Sequence, residues 1–106
     1  MSNTVVVHKG RNNTVDVNLF QDITGDVFSS EIRTEARRDS TLIAYWLVSV
    51  TDAEAGELSL YLGSTSTGYI RQNNGYMDIK RITEDGSVEA IFDQPIRVVF
   101  RGTVTK

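Results

Sequence analysis

The feature that most limits what this chain can become is the spacing of its apolar residues, which recur at every second position and almost nowhere at every third and fourth. A period of two is the alternation of side chains across a β-strand, whereas an amphipathic helix needs a period near 3.6. Val15, Val17 and Leu19 alternate with Asp16 and Asn18, and Phe28, Ser30 and Ile32 alternate with Ser29, Glu31 and Arg33. Leu58, Leu60 and Leu62 are interleaved with Glu57, Ser59 and Tyr61, and Met77 and Ile79 with Tyr76, Asp78 and Lys80. Ile96, Val98 and Phe100 alternate with Arg97, Val99 and Arg101 in a last strand expected to end near Val104. The lone proline, Pro95, stands at the start of that strand, where a missing N–H is tolerated.

Turn signals divide these runs. Asp22 to Gly25 is expected to join two strands in a hairpin, and Asp52 to Gly56 to place the next strand antiparallel to the one before it. Glu35 to Ser40 is polar and nonperiodic, a surface loop or one short helical turn, and Gly63 to Gly68 reads as a crossover between sheets. Asn73 to Gly75 and Asp85 with Gly86 carry residues that tolerate positive φ and are expected to be turns. Val88, Ala90 and Phe92 lead to a break at Asp93 to Pro95. Thr41 to Thr51, TLIAYWLVSVT, is apolar on both faces, the pattern of a central strand covered on both sides. Its Val, Ile, Tyr and Trp content and its polar flanks favour a strand over a buried helix.

With 106 residues, one domain spanning 1–106 is expected. The fold that follows is all-β, an antiparallel, immunoglobulin-like β-sandwich of seven to eight short strands; a closed barrel would serve the same alternation. The net charge of -3 argues against nucleic acid as a partner, since no clustered basic surface accompanies it. The absence of cysteine removes disulfides, thiolate metal sites and thiol nucleophiles together, and suits a protein folded in reducing cytoplasm. The three apolar residues opening MSNTVVVHKG are too few for a signal-peptide core, and no run approaches the roughly 18 apolar residues of a helical span. A soluble protein without membrane contact is expected.

The search for chemistry returns little. His8 is the only histidine and has no partner at a spacing that would make it a general base. Asp52, Glu54 and Glu57 form an oxygen-rich stretch, but an EF-hand loop counted from Asp52 meets Glu57 and Gly63 where glycine and glutamate are required. Asp22, Asp26, Asp78 and Asp93 are acids without a selected pair for glycoside hydrolysis. Gly63 to Gly68 lacks the lysine of a phosphate loop. Arg33, Arg37, Arg38, Lys80 and Arg81 have acids such as Glu31, Glu35 and Asp39 near them in sequence and read as a mixed, solvated surface. Trp46 belongs to the core, while Tyr61 and Tyr69 could stack on sugars if exposed together. Tyr76 could close a sandwich corner with its hydroxyl, although Gly75 stands one place too near for the immunoglobulin pattern. No enzyme and no cofactor are expected.

One apolar set is left over. Ile43, Tyr45 and Leu47 lie opposite the main row of their strand, and Phe20 and Val99 fall on the outward parity of theirs. Either a loop covers these residues or another subunit does.

The order of segments also carries a resemblance. TGDVFSSEIR at 24–33 is followed by a polar loop, LIAYWLVSVTD at 42–52, GELSLYL at 56–62, GYMDIKR at 75–81, DGSV at 85–88 and a terminal IRV with VT at 96–98 and 104–105. This resembles small β-sandwich proteins of tailed bacteriophages and prophages, encoded among tail, baseplate and neck genes. It is also similar to the virion-attachment domain at the N-terminus of upper baseplate and receptor-binding proteins. The resemblance implies a noncatalytic structural subunit located in the virion, assembled in the host cytoplasm. Its partners would be other virion structural proteins and further copies of itself; the contact residues expected from outward parity alone are Phe20, Ile43, Tyr45, Leu47 and Val99. A carbohydrate-binding sandwich module is the alternative.

Overall fold

The computed structural model describes residues 4–37, 39–92 and 94–102. Its strands are β1 (Thr4–His8), β2 (Asn13–Asn18), β3 (Val27–Arg33), β4 (Leu42–Asp52), β5 (Glu57–Leu62), β6 (Asn74–Ile82), β7 (Val88–Ala90) and β8 (Ile96–Arg101). One short helix, α1 (Ser64–Gly68), lies between β5 and β6. Pairing runs β1-β8-β6-β3-β4-β5-β2, with β7 added to β6. The barrel alternative falls away because β1 and β2 end this path and form no ladder with each other among the described residues.

β4 makes the sandwich. Its first half, Leu42 to Trp46, pairs with β3, and its second half, Leu47 to Asp52, pairs with β5. The ladder therefore folds over at β4 into two sheets, β1-β8-β6-β3 and β5-β2, that share this strand. Leu60 and Leu62 from the second sheet pack with Val7, Ile32, Met77, Ile79, Val98 and Phe100 from the first, and Trp46 sits at the fold between them. The inward rows are those the alternation marks. The strand order β3-β6-β8 on one layer and β2-β5-β4 on the other reproduces the C-F-G and B-E-D pairings of an immunoglobulin-like sandwich.

Several local expectations are corrected. The sheet is mixed, because β1 runs parallel to β8; the first and last strands are joined through the whole domain, so no short connection forces them antiparallel. β2 and β3 form no hairpin: β2 pairs with β5 and β3 with β4 and β6, so the Asp22 turn carries the chain between sheets. Asn74 and Gly75 lie inside β6, where a Cβ on Gly75 would stand 2.8 Å from the Arg33 carbonyl oxygen and 2.9 Å from Ile43 Cδ1. That glycine serves close packing instead of a turn. β8 ends at Arg101, and Val104 lies outside the described residues.

Two polar devices hold the chain's first third in place. The Asn13 carboxamide accepts the His8 N–H at 2.9 Å and donates to the His8 carbonyl at 2.9 Å and the Arg11 carbonyl at 3.0 Å, acting as a neighbouring strand would. Asn13 is buried. Asn13→Ala leaves those backbone groups unmatched and is expected to cost about 2 kcal/mol, read as a melting temperature lowered by roughly 10 °C. Below it, the Thr67 hydroxyl of α1 donates to the Arg11 carbonyl at 2.8 Å, and the Ser64 N–H donates to Asn12 Oδ1 at 2.7 Å. The crossover helix is thus tied to the β1–β2 turn.

Candidate interaction surfaces

β4 is not covered on both sides. Trp46 points into the core at 4% exposure, whereas Tyr45 and Leu47, its neighbours on the other face, are 63% and 66% exposed. Leu47 is directly opposite Tyr61 of β5, itself 39% exposed, so the three side chains form one apolar, aromatic patch where the two sheets join. Glu31 of β3 stands across from Tyr45 and gives the patch an acidic border.

The five residues expected as contacts are thereby separated. Ile43 turns toward the core at a register shift, where Ile32 pairs with Ala44 and Arg33 with Leu42, and it packs against the central cluster. Val99 is half-buried at the far side of the first sheet, facing Val6 of β1 and Asn74 of β6. Phe20 lies in the connection from β2 to β3, beside the β4–β5 turn, and is 85% exposed. Only Tyr45 and Leu47 lie together; Tyr61 joins them from the residues read as sugar platforms. Tyr69, also exposed, follows α1.

Phe20 has a backbone peculiarity. Its φ is 57°, held by the Phe20 N–H bonded to Asn18 Oδ1 at 2.8 Å and the Leu19 N–H bonded to the Gly56 carbonyl at 2.8 Å. A bulky residue in this region is strained by about 1–2 kcal/mol, and an exposed ring recovers little of it. Phe20→Asn, which tolerates the conformation, is expected to stabilise the isolated chain by about 0.5–1 kcal/mol. Thermal melting checks this, and a clear loss of stability would show that the ring packs within its own chain.

The second feature is a groove of about 360 Å³ on the outer side of the first sheet. Its floor is made by β3 and β6, whose outward residues pair as Glu31 with Asp78, Arg33 with Tyr76 and Ser29 with Lys80. The β3–β4 loop closes one end, and β7 with Pro95 forms the lip. Arg33 Nε is 3.0 Å from Glu31, Arg37 is 3.1 Å from Glu35, and Arg81 is 3.8 Å from Glu89. Asp78 differs from these acids in having no base within 4.0 Å among the described residues. Burial pushes its carboxyl above the usual range, against the opposing pull of the Ile79 N–H and the Lys80 charge.

The remaining acids and bases have structural partners. Asp22 accepts the Thr24 hydroxyl at 2.6 Å and the Thr24 N–H at 2.9 Å, which hold it below the ordinary carboxylate range. Asp85 is lowered likewise by the Thr83 hydroxyl and the Ser87 N–H. Asp26 is 2.6 Å from Arg81 with both side chains largely buried, which corrects the reading of Arg81 as solvated. The acids Asp22, Asp26 and Asp78 thus take separate roles, and Asp93 and Arg38 lie outside the described residues. Asp52 accepts the Ala55 N–H within its turn. Among the described residues no group of three or more His, Asp or Glu could hold a metal ion. His8 is exposed at the end of β1, and Tyr76 is half-buried in the groove.

The molecule so defined is a single immunoglobulin-like β-sandwich whose unmatched features are an apolar sheet face and a charged groove. No protein-family model matches the chain, and no curated protein does. Among solved structures it is similar to the ZIG-8–RIG-5 IG1–IG1 heterodimer, with 12% identity and a TM-score of 0.46 over 95% of this chain and 83% of that one.

Proposed function

We propose that the chain is a noncatalytic structural subunit of a tailed-bacteriophage virion, in the tail, baseplate, neck or fibre attachment, and acts by protein–protein contact. The observation that supports this reading is the exposed Tyr45–Leu47–Tyr61 face. A small sandwich has few apolar residues to spare, and three on one outward patch are the composition of a contact surface. Further copies of the chain and other virion proteins are its partners, brought together as the particle assembles in the host cytoplasm. Mass spectrometry of purified particles from a host carrying the gene tests the location: the chain should appear at a fixed number of copies per particle, and its absence from intact particles sinks the reading.

A second reading draws on the same patch. Tyr45 and Tyr61 on one exposed face are the equipment of a carbohydrate-stacking platform. Glycan-array binding lost on Tyr61→Ala would move the assignment to a sugar-binding module.

A further inference from the structure

The groove on the first sheet adjoins the Tyr45 face at Glu31, which stands between Tyr45 and Asp78, and its charges do not close among themselves. Arg33 and Arg37 are taken up by Glu31 and Glu35, and Arg81 is committed to the buried Asp26. Asp78 remains on the floor without a basic partner within 4.0 Å among the described residues; Glu31 is opposite it, Tyr76 and Lys80 flank it on β6, and Pro95 lines the lip. Asp78 is half-buried, and drawing a carboxylate partly out of water without pairing it costs stability. Among the described residues the one hydrogen bond to the Asp78 carboxylate comes from the N–H of the next residue, Ile79, at 2.8 Å. The space above it, about 360 Å³, is of the size that takes a side chain and its neighbours.

We infer that the groove binds a basic side chain, the ammonium of a lysine or the guanidinium of an arginine presented by an extended polypeptide segment, with its charge on Asp78 and its stem along Tyr76 and Pro95. The cation supplies the missing partner of Asp78, and the ring of Tyr76 adds a face on which a guanidinium can lie. Lys80 sets the selectivity: it repels a second positive charge placed two residues along the ligand, so an isolated basic residue fits better than a basic run. An extended segment suits the shape, since the groove is open above and has a loop at one end and the β7 lip along its side.

The test is a titration of the isotopically labelled chain, followed by amide chemical shifts. The probes are a capped pentapeptide with one central arginine, the same peptide with glutamine in its place, and butylamine. Saturable shifts at Glu31, Tyr76, Asp78 and Lys80 with the arginine peptide, absent with the glutamine peptide, are expected, at an affinity of about 1 mM. Asp78→Asn should weaken that binding about tenfold while its spectrum stays folded and its melting temperature at neutral pH does not fall. Shifts that do not saturate, equal shifts with the glutamine peptide, or unchanged binding to Asp78→Asn each overturn the site. Butylamine binding as tightly as the peptide overturns the polypeptide as its occupant. None of these outcomes involves Tyr45, so the groove and the assembly face stand or fall separately.

Discussion

Tyr45→Asp is expected to turn an associating subunit into a monomer while leaving its fold intact. The side chain is 63% exposed on the strand that the two sheets share, so its loss removes few contacts within the chain. Surface substitutions away from caps and packing usually change stability by about 0.5 kcal/mol or less. At a buried contact the same change places a carboxylate among Leu47, Tyr61 and whatever covers them, with Glu31 already opposite, and central aromatic residues of interfaces cost about 2 kcal/mol or more when lost. That corresponds to about a thirtyfold weaker association. Light scattering across concentration, beside a thermal melt of the dilute monomer, separates the two effects. A variant whose monomer melts far lower would show Tyr45 to be a folding residue. Wild-type chain that stays monomeric at millimolar concentration would remove self-association and leave only unlike partners for this face.

The largest effect on stability is expected at Gly56. Its φ is +81°, and a Cβ there would stand 2.3 Å from the Gln21 carbonyl oxygen and 2.9 Å from the Gln21 nitrogen. Both are backbone atoms, so no rotamer change relieves the overlap. The approach exists because the segment after β2 is fastened to the β4–β5 turn, by Leu19 N–H to the Gly56 carbonyl and Ile23 N–H to the Ala53 carbonyl, each 2.8 Å. Gly56→Ala combines about 1–2 kcal/mol of backbone strain with a displacement of that segment, about 3–5 kcal/mol together. Against a total of roughly 5–15 kcal/mol this leaves a chain partly unfolded at 37 °C. Gly10→Ala is the control: φ is +76°, but nothing lies within 4 Å, so its cost should stay near the strain alone. Chemical denaturation of the two variants checks the difference, and equal losses would mean that the 19–23 segment moves aside freely.

Period-two spacing places the core residues of β3, β5, β6 and β8, because each inward residue there keeps strict parity and needs no knowledge of its partner; buried Ile23 and Ile70 lie in connecting segments that have no such period. The pairing of strands was less legible. Asp22 to Gly25 forms a turn by local chemistry, the Asp22 carboxylate capping Thr24, but the same bonds serve a hairpin or a crossing between sheets. Gly75 has the sequence context of a turn, yet what selects it is the close approach of Arg33 and Ile43 from two other strands. For the candidate surfaces, parity identified Tyr45 and Leu47 as outward but misplaced Ile43, since a register shift is set by the neighbouring strand. The groove was out of reach, because Glu31 and Asp78 are brought together only by the β3–β6 register.

The parallel pairing of β1 and β8 has a mechanical consequence. Thr4 lies beside Arg97 and His8 beside Arg101, so tension applied through Thr4 and Arg101 pulls the two strands along their length in opposite directions. The ladder is then loaded in shear, and its bonds must break together instead of peeling away one after another. A hairpin pulled from its open end would unzip at much lower force. A domain strung between larger neighbours through these two ends would therefore carry load along the β1–β8 ladder before either sheet came apart.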